Sequence, residues 1–180
     1  LDRHAVYGYV VNLVAEAEKQ LGPIDLFFNN AAVATGGNPL NTPIDVWQDQ
    51  WNINVMAHVY AVRAVLPGML ARGQGYLLHT ASMAGILTSQ GNLTYATTKH
   101  AVVGLAEWLS ITYHDEGIRV SLLAPLGVRT PMLGDLSSPF AVSAAGPIKE
   151  PEDVADMVVS GIQSESFLIL TDPLAQTWME

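Results

Sequence analysis

The chain contains no cysteine among its 180 residues. This absence excludes disulfide bonds and metal sites built from thiolates. The five histidines do not have the spacing of metal ligands, so we expect no metal centre and assign these residues no catalytic role. No uninterrupted apolar run approaches ~18 residues, which predicts that the chain has no membrane-spanning segment.

Basic residues are also scarce, since eight lysines and arginines stand against seventeen aspartates and glutamates, for a net charge of -9. Without a cluster of basic side chains, neither nucleic acid nor an anionic membrane surface is an expected partner. The sequence does not start with a positively charged leader and an apolar segment, which favours a cytoplasmic location. Because 49% of the residues are hydrophobic, residues 1–180 are predicted to form a single domain with a substantial core.

Predicted helices and strands alternate along the chain. The predicted order is helix 3–21, strand 24–29, helix 43–70, strand 76–81, helix 93–115, strand 118–124, helix 151–163 and strand 167–170. This alternation is typical of an α/β fold with a doubly wound parallel sheet and helices on both faces. Pro67 is expected to bend or end the 43–70 helix, because proline disrupts helical hydrogen bonding.

Tyr95 and Lys99 lie four residues apart in the predicted 93–115 helix, so their side chains share one helical face. An ammonium beside a phenol favours the phenolate, which would bring a tyrosine that ordinarily ionises near pH ~10 closer to neutrality. The pair is therefore a candidate acid/base device. Taken alone, the same spacing also fits an exposed pair on a helix surface.

Two further groups of polar residues stand where predicted strands end. Ser82 follows strand 76–81, while Asn29 ends strand 24–29 and Asn30 follows it. Ligands of open α/β sheets bind at the carboxyl ends of the strands, so these side chains are expected at one edge. Thirteen residues separate Ser82 from Tyr95, which is enough chain to return the phenol to that edge.

Five motifs in this order resemble those of the short-chain dehydrogenase/reductase family. They are Asn29–Ala32, Asn54–Val55, Ser82, Tyr95-x-x-x-Lys99 and Pro125-x-x-Val-x-Thr130. The resemblance extends over nearly the whole chain and implies a Rossmann-like fold. It also implies hydride transfer between NAD or NADP and a carbonyl or secondary alcohol of a small-molecule substrate, without indicating which dinucleotide or which substrate.

The resemblance implies a role for each catalytic residue. Tyr95 would be the general acid in reduction, and Ser82 would orient the substrate oxygen. Lys99 would lower the pKa of Tyr95 and bind the nicotinamide ribose. Asn54 would bind water at an irregularity of the 43–70 helix and connect Lys99 to solvent, whereas a structural role is the alternative for an asparagine on a helix.

The same resemblance implies a set of cofactor contacts. The predicted contacts are Asn29, Asn30, Ala31, Tyr95, Lys99, Pro125, Val128 and Thr130. The alternative for the amides of Asn29 and Asn30 is that they bond neighbouring strands. Leu126 stands where the family usually has Pro-Gly, so we expect backbone strain if that position requires a positive φ.

A Gly-rich turn that would receive the dinucleotide pyrophosphate at a helix N-terminus is not found in the sequence. The chain therefore reads as a fragment that lacks the N-terminal strand and helix units, and the alternative is a natural domain without them. Residues 133–147 are predicted to form a loop that covers the substrate. Their small, apolar character hints at an uncharged or apolar substrate.

Apolar positions on two long helices indicate self-association. They are Val55, Val59, Val62 and Leu66 in the 45–70 helix and Val102, Leu105, Trp108 and Leu109 in the 93–115 helix. In the family that the chain resembles, the equivalent helices form a homodimer or homotetramer interface. The alternative is that both helices are simply core. A non-catalytic dinucleotide-binding or scaffold protein that retains the fold is the alternative function.

Overall fold

The structure is a computed structural model that describes residues 3–133 and 145–180. Its strands are β1 (Leu26–Asn29), β2 (Gly75–Thr80), β3 (Ile118–Ala124) and β4 (Leu168–Leu170). The α-helices in these ranges are α1 (Arg3–Leu21), α2 (Ile44–Trp51), α3 (Ala57–Arg72), α4 (Leu93–Tyr113), α5 (Pro151–Gln163) and α6 (Pro173–Met179). A π-helical turn, Asn52–Met56, joins α2 to α3.

The strands form one parallel sheet in the order β1-β2-β3-β4. Asn29 at the end of β1 is paired with His79 of β2, and Thr80 at the end of β2 is paired with Leu123 of β3. The strands therefore finish at a common edge, and the loops that follow them begin close together. This arrangement confirms the predicted α/β fold with a parallel sheet.

Apolar side chains cover both faces of the sheet. The larger core lies between the sheet and helices α1, α3 and α4, and its buried residues include Val14, Val65, Met69, Leu77, Val102 and Leu122. A smaller core on the opposite face packs α5 on the sheet and contains Leu78, Leu123, Val154, Val158 and Ile169. Leu77 and Leu78 are neighbours on β2 that enter different cores, as the alternation of side chains along a strand requires.

Two elements differ from the sequence-based expectation. Pro67 lies inside α3, which continues to Arg72. Since Leu66 and Met69 on either side are buried against the sheet, packing holds the helix across the one hydrogen bond that proline removes. Helix α6 was not predicted, although its sequence carries a start signal: Asp172 accepts a hydrogen bond from the Leu174 amide at 3.0 Å.

The helical stretch Ile44–Arg72 is long and apolar enough to cross a membrane by length and composition, with a hydropathy of 1.3. The expectation that the chain holds no such segment was therefore too simple. A core helix meets the same criteria, and 44% of the apolar window is buried inside this fold. Because Val62 and Val65 pack in the core beneath the sheet, the stretch is weak evidence for a membrane span.

Most apolar positions expected to serve self-association lie in the core of the chain itself. Those buried there are Val55, Val62, Leu66, Val102 and Leu109. Trp108 on α4 is 58% exposed, and Ile111 one turn later is 83% exposed. The core alternative is therefore correct for most of these positions, and the homo-oligomer stays a prediction.

The predicted substrate-covering loop, 133–147, is described only at its two ends. Residues 134–144 lie outside the described residues. Before them, Pro131–Leu133 form a short 3₁₀ turn.

Candidate functional site

Ser82 lies at the carboxyl edge of the sheet, two residues after β2. Its backbone is extended, and it caps a short 3₁₀ turn, Met83–Gly85. The Ser82 hydroxyl accepts a hydrogen bond from the Ala84 amide at 3.1 Å. Because this bond uses the oxygen as an acceptor, the hydroxyl proton is available to another oxygen at the same edge.

Tyr95 is in the first turn of α4, with its phenol beside the Ser82 side chain. Burial raises the pKa of Tyr95 above its ordinary value, and the neighbouring Ser82 hydroxyl partly offsets this by lowering it. The sequence argument expected a lowered pKa through Lys99, whereas in this structure burial dominates and the net shift is upward. The Lys99 Nζ lies instead over the tyrosine ring, 5.6 Å from its centroid.

Lys99 is an almost fully buried cation, with 1% of its surface exposed. Its Nζ donates a hydrogen bond to the carbonyl oxygen of Thr80 at 2.8 Å. Burial lowers the pKa of Lys99 to about 8, because the charged form loses its hydration. The ammonium is therefore a group that can exchange a proton close to neutral pH.

Asn54 lies in the π-helical turn Asn52–Met56, which is a helix irregularity of the kind that the family resemblance implied at this position. The Asn54 Oδ1 accepts a hydrogen bond from the Val33 amide at 2.8 Å, and its Nδ2 donates to the Val33 carbonyl at 2.9 Å. The same Nδ2 donates to the Thr98 hydroxyl at 3.0 Å. Asn54 thus joins the loop after β1 to the helix that carries Tyr95 and Lys99.

Gly85 provides the close contact between the Ser82 turn and α4. A Cβ placed on Gly85 would lie 2.7 Å from the carbonyl carbon and oxygen of Lys99 and 2.9 Å from its Cβ. Side chains essentially never approach backbone atoms so closely. Only glycine therefore allows the turn to pack directly against the backbone of Lys99.

The asparagines at the end of β1 have different surroundings. Asn29 is buried, and its Nδ2 has no hydrogen-bond partner among the described residues. Asn30 is exposed, and its Oδ1 accepts a hydrogen bond from the Thr80 hydroxyl at 2.9 Å, which bonds neighbouring strand ends. Ala31 is exposed at the same edge. The alternative role of bonding adjacent strands is therefore present at Asn30.

The loop after β3 carries the remaining predicted cofactor contacts. Pro125 is half-buried, Thr130 is exposed, and Val128 forms an isolated bridge with Lys149. Leu126 is buried, and its φ is not positive, so the strain expected there is absent. The backbone of this loop accommodates leucine without the left-handed conformation that a glycine would provide.

Two histidines to which the sequence argument gave no role form a buried pair beside this site. The Nδ1 atoms of His58 and His79 are 2.9 Å apart, and the rings stack with their centroids separated by 5.2 Å. Burial lowers the pKa of His58 to about 2 and that of His79 to about 4. His58 follows Asn54 by four residues and His79 precedes the end of β2, but neither position alone indicates a pair.

The structure thus gathers the four predicted catalytic residues at one edge and places the other predicted cofactor contacts at the end of β1 and on the loops after β1 and β3. The Ser82 side chain lies beside the Tyr95 phenol, and the Lys99 Nζ lies over the Tyr95 ring while it bonds the Thr80 carbonyl. Asn54 is connected to them through Thr98. The arrangement can hold an oxygen atom by a hydroxyl and deliver a proton to it from a phenol.

Comparison with known proteins gives a consistent assignment. The sequence profile of the short chain dehydrogenases matches residues 6–139. The chain is 36% identical over 166 residues to a 1-deoxy-11-beta-hydroxypentalenate dehydrogenase of Streptomyces exfoliatus, covering 91% of this chain and 60% of that protein. It is 31% identical over 145 residues to a cyclohexanol dehydrogenase of an Acinetobacter species, covering 79% of this chain and 58% of the relative.

Solved structures agree with the sequence relatives. A short chain dehydrogenase/reductase of Burkholderia phymatum in complex with NAD superposes with a TM-score of 0.85 and 27% identity, covering 96% of this chain and 70% of that one. LigO of Sphingobium sp. strain SYK-6, in its apo form, gives a TM-score of 0.80 and 32% identity, covering 96% and 62%. The chain spans about three fifths of the length of the hydroxypentalenate dehydrogenases that it matches. On the profile match and these relatives, the chain belongs to the short-chain dehydrogenase family.

Proposed function

We propose that this chain carries the catalytic edge of an NAD- or NADP-dependent dehydrogenase that interconverts an alcohol and a carbonyl group on a small molecule. The observation that carries the proposal is the placement of Ser82, Tyr95 and Lys99 around one point at the carboxyl edge of the sheet. Family membership supports the same reaction class.

Tyr95 is the group proposed to move the proton. In carbonyl reduction its phenol donates a proton to the developing alkoxide, and in alcohol oxidation the phenolate takes that proton back. The Ser82 hydroxyl holds the substrate oxygen beside the phenol. Because burial raises the pKa of Tyr95, the phenol is protonated at neutral pH in this structure, which suits the acid role in reduction.

Lys99 is proposed to supply positive charge and proton exchange behind Tyr95. Its Nζ has a protein partner, the Thr80 carbonyl, and an ammonium has three protons to donate. The remaining donors are available to the ribose hydroxyls of a dinucleotide and to a proton path. With a pKa of about 8, Lys99 loses or gains a proton within the working range of a cellular enzyme.

The residues at this edge fit a dinucleotide. Asn29 has a buried Nδ2 that finds no hydrogen-bond partner in the described part of the chain, while Ala31 and Thr130 are exposed on loops at the ends of β1 and β3. Dinucleotides bind across the carboxyl ends of the strands in this fold class. When bound, NAD or NADP supplies or accepts the hydride. Dehydrogenases of this family use these two cofactors, and one structural neighbour is a complex with NAD.

The proposed substrate is a mainly apolar alcohol or ketone. Support comes from the name of one relative, a cyclohexanol dehydrogenase. The hydroxypentalenate of another relative's name is a carboxylate, so the proposal leaves the charge of the substrate open. We further propose that the exposed Trp108 and Ile111 on α4 contribute to a homo-oligomer interface.

Dinucleotide binding tests the proposal at its first step. NADH, NADPH and adenosine are titrated separately into the full-length protein, and thermal unfolding and quenching of tryptophan fluorescence are followed. We expect saturable stabilisation by at least one of the two dinucleotides and little effect of adenosine. A protein that binds neither dinucleotide would contradict the proposal. Binding without turnover of any alcohol or ketone would support the scaffold alternative.

A further inference from the structure

Lys99 is held at the catalytic edge by a chain of buried hydrogen bonds. On one side, the neighbouring Thr98 accepts a hydrogen bond from Asn54 at 3.0 Å. On the other side, the Lys99 Nζ donates to the Thr80 carbonyl at 2.8 Å. Asn54, Thr98 and Lys99 are each at most 1% exposed. These contacts tie α4 both to the π-helical turn and to the end of β2.

The His58–His79 bond joins helix α3, which follows the π-helical turn, directly to the end of β2. His58 lies one helical turn beyond Asn54, and His79 immediately precedes Thr80. The two rings meet through Nδ1 atoms 2.9 Å apart and are at most 1% exposed. Their Nε2 atoms have no partner among the described residues, so this bond is the polar contact that fixes both rings.

Together these contacts close a ring. It runs from Asn54 through Thr98 to Lys99, from Lys99 to Thr80, back along β2 to His79, across to His58, and along the helix to Asn54. Three of its links are hydrogen bonds, and the others are short stretches of backbone in regular structure. A closed ring of contacts restrains each residue more than an open chain of the same bonds does, because breaking one hydrogen bond also distorts the geometry of the others.

We propose that His58 and His79 act as a positioning pair that closes this ring and so fixes the Lys99 ammonium at the catalytic edge. The inference rests on the proposed function of Lys99 and extends it to two residues outside the catalytic group. Neither histidine is assigned contact with substrate or cofactor.

The chemistry of the pair suits a neutral link beside a cation. A single N–H···N bond between two Nδ1 atoms requires a donor ring with a proton on Nδ1 and a neutral acceptor ring with its proton on Nε2. Burial lowers the pKa of both rings, so the donor ring is neutral as well. A charged His58 ring would repel the buried Lys99 ammonium, which lies over the Tyr95 ring. An imidazole pair thus supplies a rigid polar bond without adding charge.

Nitrogen NMR of the ¹⁵N-labelled protein tests the bond directly. We expect a scalar coupling across the hydrogen bond between the Nδ1 atoms of His58 and His79. The titration of Lys99, followed through its labelled side chain, tests the consequence. In His58→Ala the polar atom that faces His79 is lost, the ring of contacts is open and water can reach the ammonium, so the Lys99 midpoint should rise by roughly one pH unit or more from about 8.

His100→Ala is the matched control, because His100 adjoins Lys99 in sequence but is exposed and, among the described residues, bonds the Ala96 carbonyl of its own helix. It should leave the Lys99 midpoint unchanged. In the full-length enzyme, His58→Ala should lower turnover by roughly tenfold and move the basic limb of its pH profile upward, which loss of stability alone would not do.

An absent coupling, or a Lys99 midpoint that stays at the wild-type value in His58→Ala, would overturn the proposal. If His58→Ala does not fold, His79→Ala gives the same test from the strand side, and the coupling is read in the unaltered protein. Both NMR readouts need neither dinucleotide nor substrate. They therefore succeed or fail separately from the dehydrogenase function itself.

Discussion

The buried histidine pair should make the fold sensitive to mild acid. His58 and His79 have pKa values of about 2 and about 4 in the folded chain, both below the ordinary value of 6.5, because burial disfavours the charged rings. At pH values between the pKa values of the folded chain and the ordinary value of 6.5, the unfolded chain binds more protons than the folded chain. Stability contributed by the neutral pair is therefore complete above about pH 6.5 and is lost as the pH falls towards the folded values.

The size of the effect follows from proton linkage. For each imidazole that is neutral in the folded chain and protonated in the unfolded chain, the free energy of unfolding falls by about 1.4 kcal/mol for every pH unit of acidification. For both rings, acidification from about pH 6.5 to about pH 4.5 removes roughly 5 kcal/mol, an upper estimate and comparable to the total stability of many domains. Lys99, with its pKa of about 8, is charged in both states over this range and contributes nothing to the slope.

Urea unfolding, followed by tryptophan fluorescence at several pH values between about 4.5 and 6.5, measures how steeply the free energy of unfolding depends on pH. This dependence should be mostly lost in the double variant His58→Asn/His79→Asn and about halved in either single variant. His114→Asn serves as the control because it removes an exposed imidazole. An acid slope in the double variant that matches the unaltered protein would refute the reasoning.

Three further predictions concern the catalytic edge. Lys99→Met should weaken dinucleotide binding and remove any transition in turnover near pH 8, measured by titration and a pH profile; an unchanged profile would exclude Lys99 from proton traffic. Ser82→Ala should reduce turnover by roughly a hundredfold with dinucleotide affinity retained, whereas Ser160→Ala on α5 should change neither. Gly85→Ala should lower unfolding free energy by about 1–3 kcal/mol and reduce turnover, because its Cβ would meet the Lys99 backbone. Gly104→Ala, where nothing lies within 4 Å, should show neither loss, and equal effects of the two would contradict this packing argument.

Periodicity in the sequence was sufficient to predict the sheet and most helices. Long apolar stripes and short apolar runs report burial directly, so the alternation of elements and the parallel sheet were predictable. The course of the helix through Pro67 was not, because the buried neighbours Leu66 and Met69 outweigh the local effect of proline. Helix α6 is short enough that its capping residue, Asp172, is its main sequence signal.

The candidate catalytic residues could be named from sequence because their order and spacing form a pattern. The pKa values of these residues could not be predicted in the same way. Whether Lys99 acts on the pKa of Tyr95 depends on where the ammonium lies, and here it bonds the Thr80 carbonyl while burial and Ser82 act on the phenol. The pairing of His58 with His79 is likewise a contact between a helix and a strand, and such contacts leave no local pattern in the sequence.

Loss of the phenol oxygen of Tyr95 tests the central claim most directly. The full-length protein is assayed with NAD and with NADP against a panel of secondary alcohols headed by cyclohexanol, with formation of the reduced dinucleotide as the readout. Tyr95→Phe should abolish turnover while dinucleotide binding and unfolding free energy stay near those of the unaltered protein. Tyr113→Phe, at the far end of α4, should remain active. Turnover by Tyr95→Phe at the unaltered rate would contradict the account.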